Sequence, residues 1–317
     1  MQASAIGFGA WAIGGWMWGG ADEADAIDAI HASVDAGVNL IDTAPMYGQG
    51  QSEEIVGKAI AGRRDKVVVA SKAGLVWHSQ KGEYFFDYTD GKPIHRLLSP
   101  ESIRFEIEQS LTRMKINTID LYQTHWQDST TPIADTMGEL IKLKDEGKIL
   151  AIGASNVTLA DYDAYREAGP LDSLQERYSM LDRKLEDELL PACERDRVAM
   201  LAYSPLEQGL LTGKVTPDRE FDKGDQRLES PRFSVENRKR VLDMLAEFQP
   251  IADAAKITLA QLVIAWTVEQ PGLTHALVGA RNREQALANA KAGDVYLEAD
   301  QVAAITTILE KHAAGIE

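Results

Sequence analysis

The sequence predicts an α/β protein folded as one closed (β/α)8 TIM barrel that spans residues 1–317 as a single domain. Three observations support this prediction. Short apolar stretches typical of buried strands alternate with helical stretches eight times, which is typical of parallel strands joined by helical crossovers. No linker or change of composition divides the chain. Polar residues suited to proton transfer follow several of the apolar stretches, where such barrels hold their active sites.

The first strand is predicted at residues 3–11, and it is followed by a loop rich in glycine and tryptophan. Residues Gly7 to Ala12 match the dinucleotide fingerprint G-x-G-x-x-A. We reject that match because the fingerprint should open a helix directly, whereas a long loop follows here. Asp22 is the predicted N-cap of the first helix, which Gly37 ends. The failed fingerprint also counts against an open doubly wound sheet, the alternative fold.

The next strands are predicted at 38–42, 66–71 and 119–122, and the stretch 66–71 has the β-branched composition of a strand buried on both faces. A short helix starts at Ser52, and a longer one starts at Ser99, where Pro100 suits the first helical position. Residues 75–98 are predicted to form a long polar and aromatic loop, which is usually a functional feature at that length.

The second half of the chain is predicted to continue the alternation. Its strands are expected at 149–154, 171–175, 198–203 and 276–278, and its helices at 131–147, 182–195, 234–254, 258–269, 283–291 and 299–313. Residues 204–236 are turn-like and mixed in charge. The chain therefore supplies eight strands, which is the number that a barrel of this class requires.

The composition excludes several kinds of partner. The net charge of −16 repels the phosphates of nucleic acids and anionic membranes, so we expect neither as a partner. Cys193 is the only cysteine, which rules out a disulfide framework and a cysteine metal cluster. No apolar run approaches the ~20 residues that span a bilayer, and the N-terminus lacks a basic signal-peptide flank. We expect a cytoplasmic protein with no bound metal.

Four residues near the predicted strand ends suggest a proton-transfer site. Asp42, Lys72 and His125 follow three successive strands, and Tyr47 lies in the loop after Asp42. A free phenol has a pKa near ~10, so an adjacent ammonium is expected to lower it, with a buried carboxylate holding that ammonium in place. Histidine can donate a hydrogen bond to an oxygen on which charge develops. Each residue alone would be weak evidence, because a strand-end lysine is often only an ion pair and a lone histidine is often packed.

These residues lie within a longer set of motifs that resembles the aldo-keto reductase family over essentially the whole chain. The matching stretches are GFGAWAIGG at 7–15, NLIDTAPMYGQGQSE at 39–53, SKAG at 71–74, DLYQTHW at 120–126, IGASN at 152–156, LQ at 174–175, YSPLEQGLLTGK at 203–214 and GARNREQALAN at 279–289. The chain is more similar to the bacterial and potassium-channel β-subunit branch than to the mammalian aldose reductases.

The resemblance implies a role for each matching residue. Tyr47 would be the general acid, Lys72 and Asp42 its tuning pair, and His125 the residue that orients and polarises the carbonyl. The cofactor NADP, as NADPH, would be bound by Gly9, Ala10, Trp11, Asp42, Ser155, Asn156, Gln175, Tyr203, Ser204, Pro205, Leu206, Gly209, Lys214, Gly279, Arg281, Gln285 and Asn289. Among these, Ser155, Asn156 and Gln175 would bind the nicotinamide carboxamide. Tyr203 would stack on the ring, the segment 204–214 would wrap the pyrophosphate, and Arg281 would take the 2′-phosphate.

The chain departs from the family pattern in two respects. The N-terminal hairpin that usually closes the barrel bottom is not expected, and Ala288 stands where many relatives place a glutamate that contacts adenine. Channel β-subunits replace the catalytic histidine, whereas His125 is kept, which favours a working enzyme.

The substrate is expected to be a small carbonyl compound, with a sugar or another polar carbonyl favoured. Trp16, Trp77 and Trp126 lie on loops at the predicted mouth, where aromatic faces suit such molecules. These tryptophans could instead pack the loops, and residues 75–98 could form a lid or an oligomer contact. Two other functions remain open, a redox-sensing subunit that binds NADP(H) with little turnover and a metal-dependent lyase or isomerase. The oligomeric state is undetermined.

Overall fold

The computed structural model describes residues 2–313, 315 and 316, so Met1, Ala314 and Glu317 of the predicted domain lie outside the described residues. The strands are β1 (Ile6–Gly9), β2 (Leu40–Asp42), β3 (Val68–Ala73), β4 (Leu75–Val76), β5 (Glu83–Asp87), β6 (Pro93–Arg96), β7 (Ile119–Thr124), β8 (Ile149–Ser155), β9 (Ser173–Arg177), β10 (Ala199–Tyr203) and β11 (His275–Gly279). The helices are α1 (Glu23–Asp35), α2 (Gln51–Ile60), α3 (Pro100–Met114), α4 (Ile133–Asp145), α5 (Leu159–Ala168), α6 (Leu189–Asp196), α7 (Val235–Ala255), α8 (Leu259–Val268), α9 (Arg283–Lys291) and α10 (Ala299–Ala313).

Eight parallel strands close into the predicted barrel. Their order around the barrel is β1, β11, β10, β9, β8, β7, β3 and β2, and β2 pairs with β1 to complete the ring. Helices lie between consecutive barrel strands, as a right-handed crossover requires. Asp22 and Ser99 cap α1 and α3 as the sequence predicts, since their side chains accept hydrogen bonds from Asp25 N and Ser102 N.

The alternation of side chains along each strand determines what fills the barrel. Inward-facing residues at the lower level are apolar, and Leu40, Ala70 and Leu121 belong to one small buried cluster. Because side chains two positions apart share a face, Asp42 and Lys72 also point inward, one level higher. The barrel interior is therefore apolar below and polar at the carboxyl end, which places the polar groups at the mouth.

Three parts of the structure differ from the sequence prediction. Residues 75–98 are not only a loop, because β4, β6 and β5 form a three-stranded antiparallel sheet there. The helix α5 was absent from the prediction, although Thr158 and Asp161 form a capping box at its start. The helix predicted at 182–195 is shorter, since Lys184–Glu186 is a 3-10 turn and α6 begins at Leu189.

The long connection between β10 and α7 crosses to the first loop of the barrel. Trp18 and Asp225 form an isolated antiparallel bridge, and Gln226 N donates to Met17 O at 3.1 Å. This contact encloses one side of the mouth. No single helix in the described part of the chain is long and apolar enough to cross a membrane, although the bent pair α7 and α8, at 87°, passes that test when taken together.

Candidate active site

The four residues with proposed proton chemistry meet at the mouth of the barrel. Asp42 ends β2, Lys72 is the fifth residue of β3, and His125 follows β7 directly. Tyr47 reaches the same point from the loop after β2, and its ring lies edge-on to that of His125 with 5.7 Å between centroids. His125 N donates to Ala73 O at 2.8 Å, which fixes the start of its loop against β3.

Lys72 is the centre of this group. Its Nζ donates to Asp42 Oδ1 at 2.7 Å, to Thr43 O at 3.0 Å and to Tyr47 Oη at 3.2 Å. Lys72 and Asp42 are both buried, so each charge needs the other to offset the loss of water. The ammonium therefore has three acceptors, one of which is the phenol oxygen.

The electrostatics of the site differ in one respect from the expectation. The sequence predicts that Lys72 lowers the pKa of Tyr47, but burial raises that pKa well above its usual value and Asp42 raises it further. Burial lowers the pKa of Lys72, while Asp42 opposes this. Burial and the nearby Lys72 charge hold the pKa of His125 well below its usual value. Near neutral pH the phenol is therefore protonated and the imidazole is neutral.

Two glutamines hold the second oxygen of the carboxylate. Gln175 Nε2 donates to Asp42 Oδ2 at 2.7 Å, and Gln123 Nε2 lies 3.4 Å from the same atom. Both side chains are buried in the barrel interior. Gln123 was not predicted as a site residue, although its position two residues after Leu121 gives it the inward face of β7. The predicted contact of Gln175 with a carboxamide stays a prediction.

The other predicted nicotinamide residues form one hydrogen-bonded chain beside His125. Asn156 Nδ2 donates to His125 O at 2.8 Å and to Ser155 Oγ at 3.1 Å. Tyr203 Oη donates to Asn156 Oδ1 at 2.8 Å, and Ser155 Oγ donates to Gln175 O at 2.6 Å. Asn156 has the left-handed backbone φ of 57°, which asparagine tolerates better than most residues. These contacts arrange polar groups along one edge of the mouth.

The end of β1 contributes to the opposite edge. Ala10 N donates to Asp42 O at 2.8 Å, and Trp11 stacks on Tyr47 with ring centroids 6.2 Å apart. Gly9 pairs with Gly279 across β1 and β11. A methyl group added at either glycine would meet only backbone atoms, at 3.5 Å or more, so both positions leave room that a side chain would fill. This is the kind of gap that a bound nucleotide needs near the barrel wall.

The segment predicted to wrap a pyrophosphate turns sharply after β10. Ser204 has a φ of 59°, and Gly209 has a φ of 95° inside the 3-10 segment Glu207–Thr212. Pro205 is buried and Leu206 half-buried, whereas Lys214 is exposed at the far end of the segment. Consecutive turns of this type present backbone N–H groups to an anion.

The predicted adenosine-phosphate residues contact one another at the start of α9. Gln285 Oε1 accepts from Arg281 N at 2.8 Å, and Asn289 Nδ2 donates to Gly279 O at 3.0 Å. The Arg281 guanidinium donates to Gly20 O at 2.8 Å and lines a cavity of about 250 Å³. Asp22 and Asp25 line the same cavity, and the charge of Arg281 lowers the pKa of Asp225.

The three tryptophans predicted to contact substrate belong to an aromatic cluster over the mouth. Trp16 stacks on Phe86 and Tyr88, which lie in the segment between β4 and β6, with centroid distances of 5.8 and 4.8 Å. Trp126 packs against Phe85 at 5.2 Å, and Trp77 joins the same cluster. The three side chains are half-buried, so part of each surface faces outward. They therefore pack the loops and border the mouth at once, and contact with substrate stays a prediction.

Comparisons with known proteins give this geometry a family context. The model of the aldo/keto reductase family matches residues 5–310. An NADH-specific methylglyoxal reductase of Escherichia coli is 43% identical, over 99% of this chain and 96% of its own length. An aldo-keto reductase of Bacillus subtilis is 39% identical, over 98% of this chain and 91% of its own. The structure of a glycerol dehydrogenase from Gluconobacter oxydans superimposes with a TM-score of 0.89 at 38% identity, over 100% of this chain and 94% of that one. From the matched range, the identities and the shared barrel, the chain belongs to the aldo/keto reductase family.

Proposed function

We propose that this protein reduces an aldehyde or ketone to the alcohol with NADPH, and that its substrate is a sugar or another small polar carbonyl compound. The observation that carries the proposal is the hydrogen bond of Lys72 Nζ to Tyr47 Oη while the same ammonium pairs with Asp42. A phenol held in this way carries a proton next to the open mouth, which is what a general acid in carbonyl reduction must do.

Each residue of the site has a separate role in the proposed reaction. Bound NADPH would supply the hydride. Tyr47 gives its proton to the carbonyl oxygen as charge develops on it, and the neutral imidazole of His125 donates a hydrogen bond to the same oxygen. Lys72 stabilises the phenolate that remains, and Asp42 holds Lys72 charged and in place.

The cofactor would lie along the two edges of the mouth. Ser155 and Asn156 orient the carboxamide with Gln175, and Tyr203 supports the nicotinamide ring. The turn from Ser204 to Gly209 would bring backbone N–H groups near the pyrophosphate, although those of Glu207 and Gly209 already donate to Ser204 O and Leu206 O. Lys214 adds positive charge. The spaces at Gly9 and Gly279 support this placement, since no side chain fills them.

Arg281 supports a preference for NADPH. Its guanidinium is exposed and lines a cavity, and its charge also lowers the pKa of Asp225. A guanidinium binds a phosphate through paired, charge-assisted hydrogen bonds. Solved relatives from Klebsiella pneumoniae were crystallised with NADP or NADPH, at 28% identity and a TM-score of 0.73. The E. coli relative is named NADH-specific, so the two cofactors must be compared directly.

The experiment is steady-state oxidation of NADPH and of NADH against a panel of aldoses, methylglyoxal and aromatic aldehydes. The proposal expects turnover with at least one small polar carbonyl and a higher kcat/KM with NADPH. Tight NADPH binding without turnover on any aldehyde would instead indicate a redox-sensing subunit. Equal or better use of NADH would remove the cofactor assignment but leave carbonyl reduction standing.

A further inference from the structure

A buried carboxylate, Glu53, lies on the outer side of the barrel wall, behind the strand that carries Lys72. It belongs to the first turn of α2 and has no exposed surface. A buried carboxylate is costly unless its oxygens accept hydrogen bonds. Here Oε1 accepts from Ser71 Oγ at 2.6 Å, and Oε2 accepts from Arg113 Nε at 2.6 Å. Both oxygens are therefore held by strong donors, from two different parts of the fold.

The bond to Ser71 connects the two segments that bear the reacting groups. Ser71 directly precedes Lys72 in β3, and successive strand residues point to opposite faces. Ser71 therefore faces α2 while Lys72 faces the barrel interior. On the α2 side of the bond, the backbone N–H of Ser52, the residue before Glu53, donates to Tyr47 O at 3.1 Å. The Glu53–Ser71 bond thus ties the segment of the phenol to the strand of the ammonium.

The neighbouring contacts fix the position of this link. Ser52 Oγ donates to Ala10 O at 2.8 Å and lies 2.9 Å from Thr43 Oγ1, so the start of α2 is fastened to the ends of β1 and β2. Arg113 reaches Glu53 from α3 by passing over Gly50. A methyl group at Gly50 would come within 2.6 Å of Arg113 Cδ, and its φ of 101° already favours glycine.

Glu53 also acts on Lys72 through its charge. Burial lowers the pKa of Lys72, whereas Asp42 and then Glu53 raise it. The titratable groups that face Lys72 are Asp42 of β2, Tyr47 of the following loop and His125 after β7.

Around Glu53 itself, the facing titratable groups are Arg113 and Glu106 of α3, Tyr122 of β7 and Lys72 of β3. Glu106 is a second buried carboxylate in this layer, but it is not among the charges that shift Lys72. Its hydrogen bonds come from Gly74 N and Ser102 Oγ, so it makes no link between α2 and β3.

We propose that Glu53 is a positioning residue for proton transfer, which holds the segment of Tyr47 against β3 through Ser71 and adds negative charge behind Lys72. It touches neither substrate nor cofactor and acts only through those two residues. The inference rests on the proposed function, since it assumes that Tyr47 and Lys72 carry the proton.

Two variants separate the link from the charge. Ser71→Ala breaks the link and keeps the charge, and Glu53→Gln removes the charge and keeps an acceptor for Ser71. We expect kcat to fall roughly tenfold in Ser71→Ala, because small displacements of reacting groups are costly, and to fall less in Glu53→Gln, where the link is kept. The KM for the cofactor should stay unchanged in both variants.

The alkaline limb of the pH profile should respond to the charge alone. Loss of a negative charge makes the coupled Tyr47–Lys72 pair release a proton at lower pH, whichever member loses it. The limb should therefore move down by about half a pH unit in Glu53→Gln, since Arg113 screens part of the field, and stay in place in Ser71→Ala. Glu106→Gln removes the second buried carboxyl of this layer, which is not among the charges that shift Lys72, and as a control for the loss of a buried carboxyl it should leave kcat and the limb unchanged.

A readout without turnover keeps this inference separate from the proposed function. NMR titration of tyrosine labelled at Cζ, with Tyr47→Phe to assign the signal, follows the pair even if no aldehyde is reduced. If Glu53→Gln fails to fold, Glu53→Gln with Arg113→Gln removes both charges and leaves no lone guanidinium. Because the two losses of charge offset each other at Lys72, the limb is then expected to stay in place while kcat still falls. Folded variants with wild-type kcat, limb and tyrosine titration would overturn the positioning role. A lower melting temperature alone, with these three readouts unchanged, would show that Glu53 only stabilises the fold.

Discussion

Replacement of Lys72 by methionine tests the centre of the proposed site most directly. Methionine keeps most of the volume of the side chain but removes the ammonium that joins Asp42, Thr43 O and Tyr47. The phenol then loses both the group that orders it and the charge that stabilises the phenolate. Proton transfer by a positioned side chain typically contributes a factor of about 10²–10⁴ to the rate, so kcat should fall by about 100-fold or more.

The pH dependence should change with a definite sign. In the wild type the Tyr47–Lys72 pair loses a proton at alkaline pH, and the buried Lys72 has a lowered pKa. Without the ammonium only the phenol can titrate, and Asp42 then acts on it unopposed. A unit charge 3.2 Å away is worth about 5 kcal/mol at an effective dielectric near 20, or more than ~3 pH units. Even after screening, the alkaline limb should move up by at least about one pH unit.

The same substitution should destabilise the fold, and this must be separated from catalysis. Breaking a buried ion pair costs about 3–5 kcal/mol because the remaining charge is unpaired. Asp42 would keep the 2.7 Å hydrogen bond from Gln175, so a value near 3 kcal/mol is expected. The double variant Lys72→Met with Asp42→Asn leaves no lone charge and should recover most of the stability without recovering kcat.

The assays are steady-state aldehyde reduction from pH 6 to 10 and urea unfolding of the wild type and both variants. A single variant with kcat within a few-fold of wild type and an unmoved alkaline limb would refute the reasoning. Lys72 would then be a structural partner of Asp42 and not part of the proton-transfer site.

Three further predictions follow from the site and its surroundings. Tyr47→Phe should lower kcat by on the order of 10² or more with NADPH binding preserved, as measured by steady-state kinetics and fluorescence quenching, and near-normal turnover would exclude Tyr47 as the acid. Arg281→Ala should weaken NADPH binding roughly tenfold to a hundredfold and leave NADH almost unchanged, since a charge-assisted contact is worth ~1.5–3 kcal/mol, and equal losses for both cofactors would contradict the assignment. Burial raises the pKa of Glu106 to about 8, so the stability that this group contributes is present below its unfolded pKa and is lost as pH rises towards 8. Glu106→Gln should therefore flatten the fall in melting temperature between pH 5 and 8. An unchanged slope would count against a protonated Glu106.

The sequence by itself determined the barrel and the inward set of side chains. Leu40 and Asp42, or Ala70 and Lys72, stand two positions apart, and a strand necessarily presents such pairs to one face. Parallel pairing then brings the ends of β2, β3 and β7 to one rim, so the meeting of Asp42 with Lys72 followed from local pattern and fold class alone.

Only the tertiary structure decided how these groups titrate and what supports them. The direction of the Tyr47 pKa depends on burial, which is set by the chain as a whole, including the packing of the β4–β6 sheet and of residues 204–234 around the mouth. Gln175 bonds Asp42 from 133 positions away, and Arg113 meets Glu53 across 60. Periodicity shows which face a residue takes, but the loss of water and the pairing of distant side chains depend on contacts that no local pattern encodes.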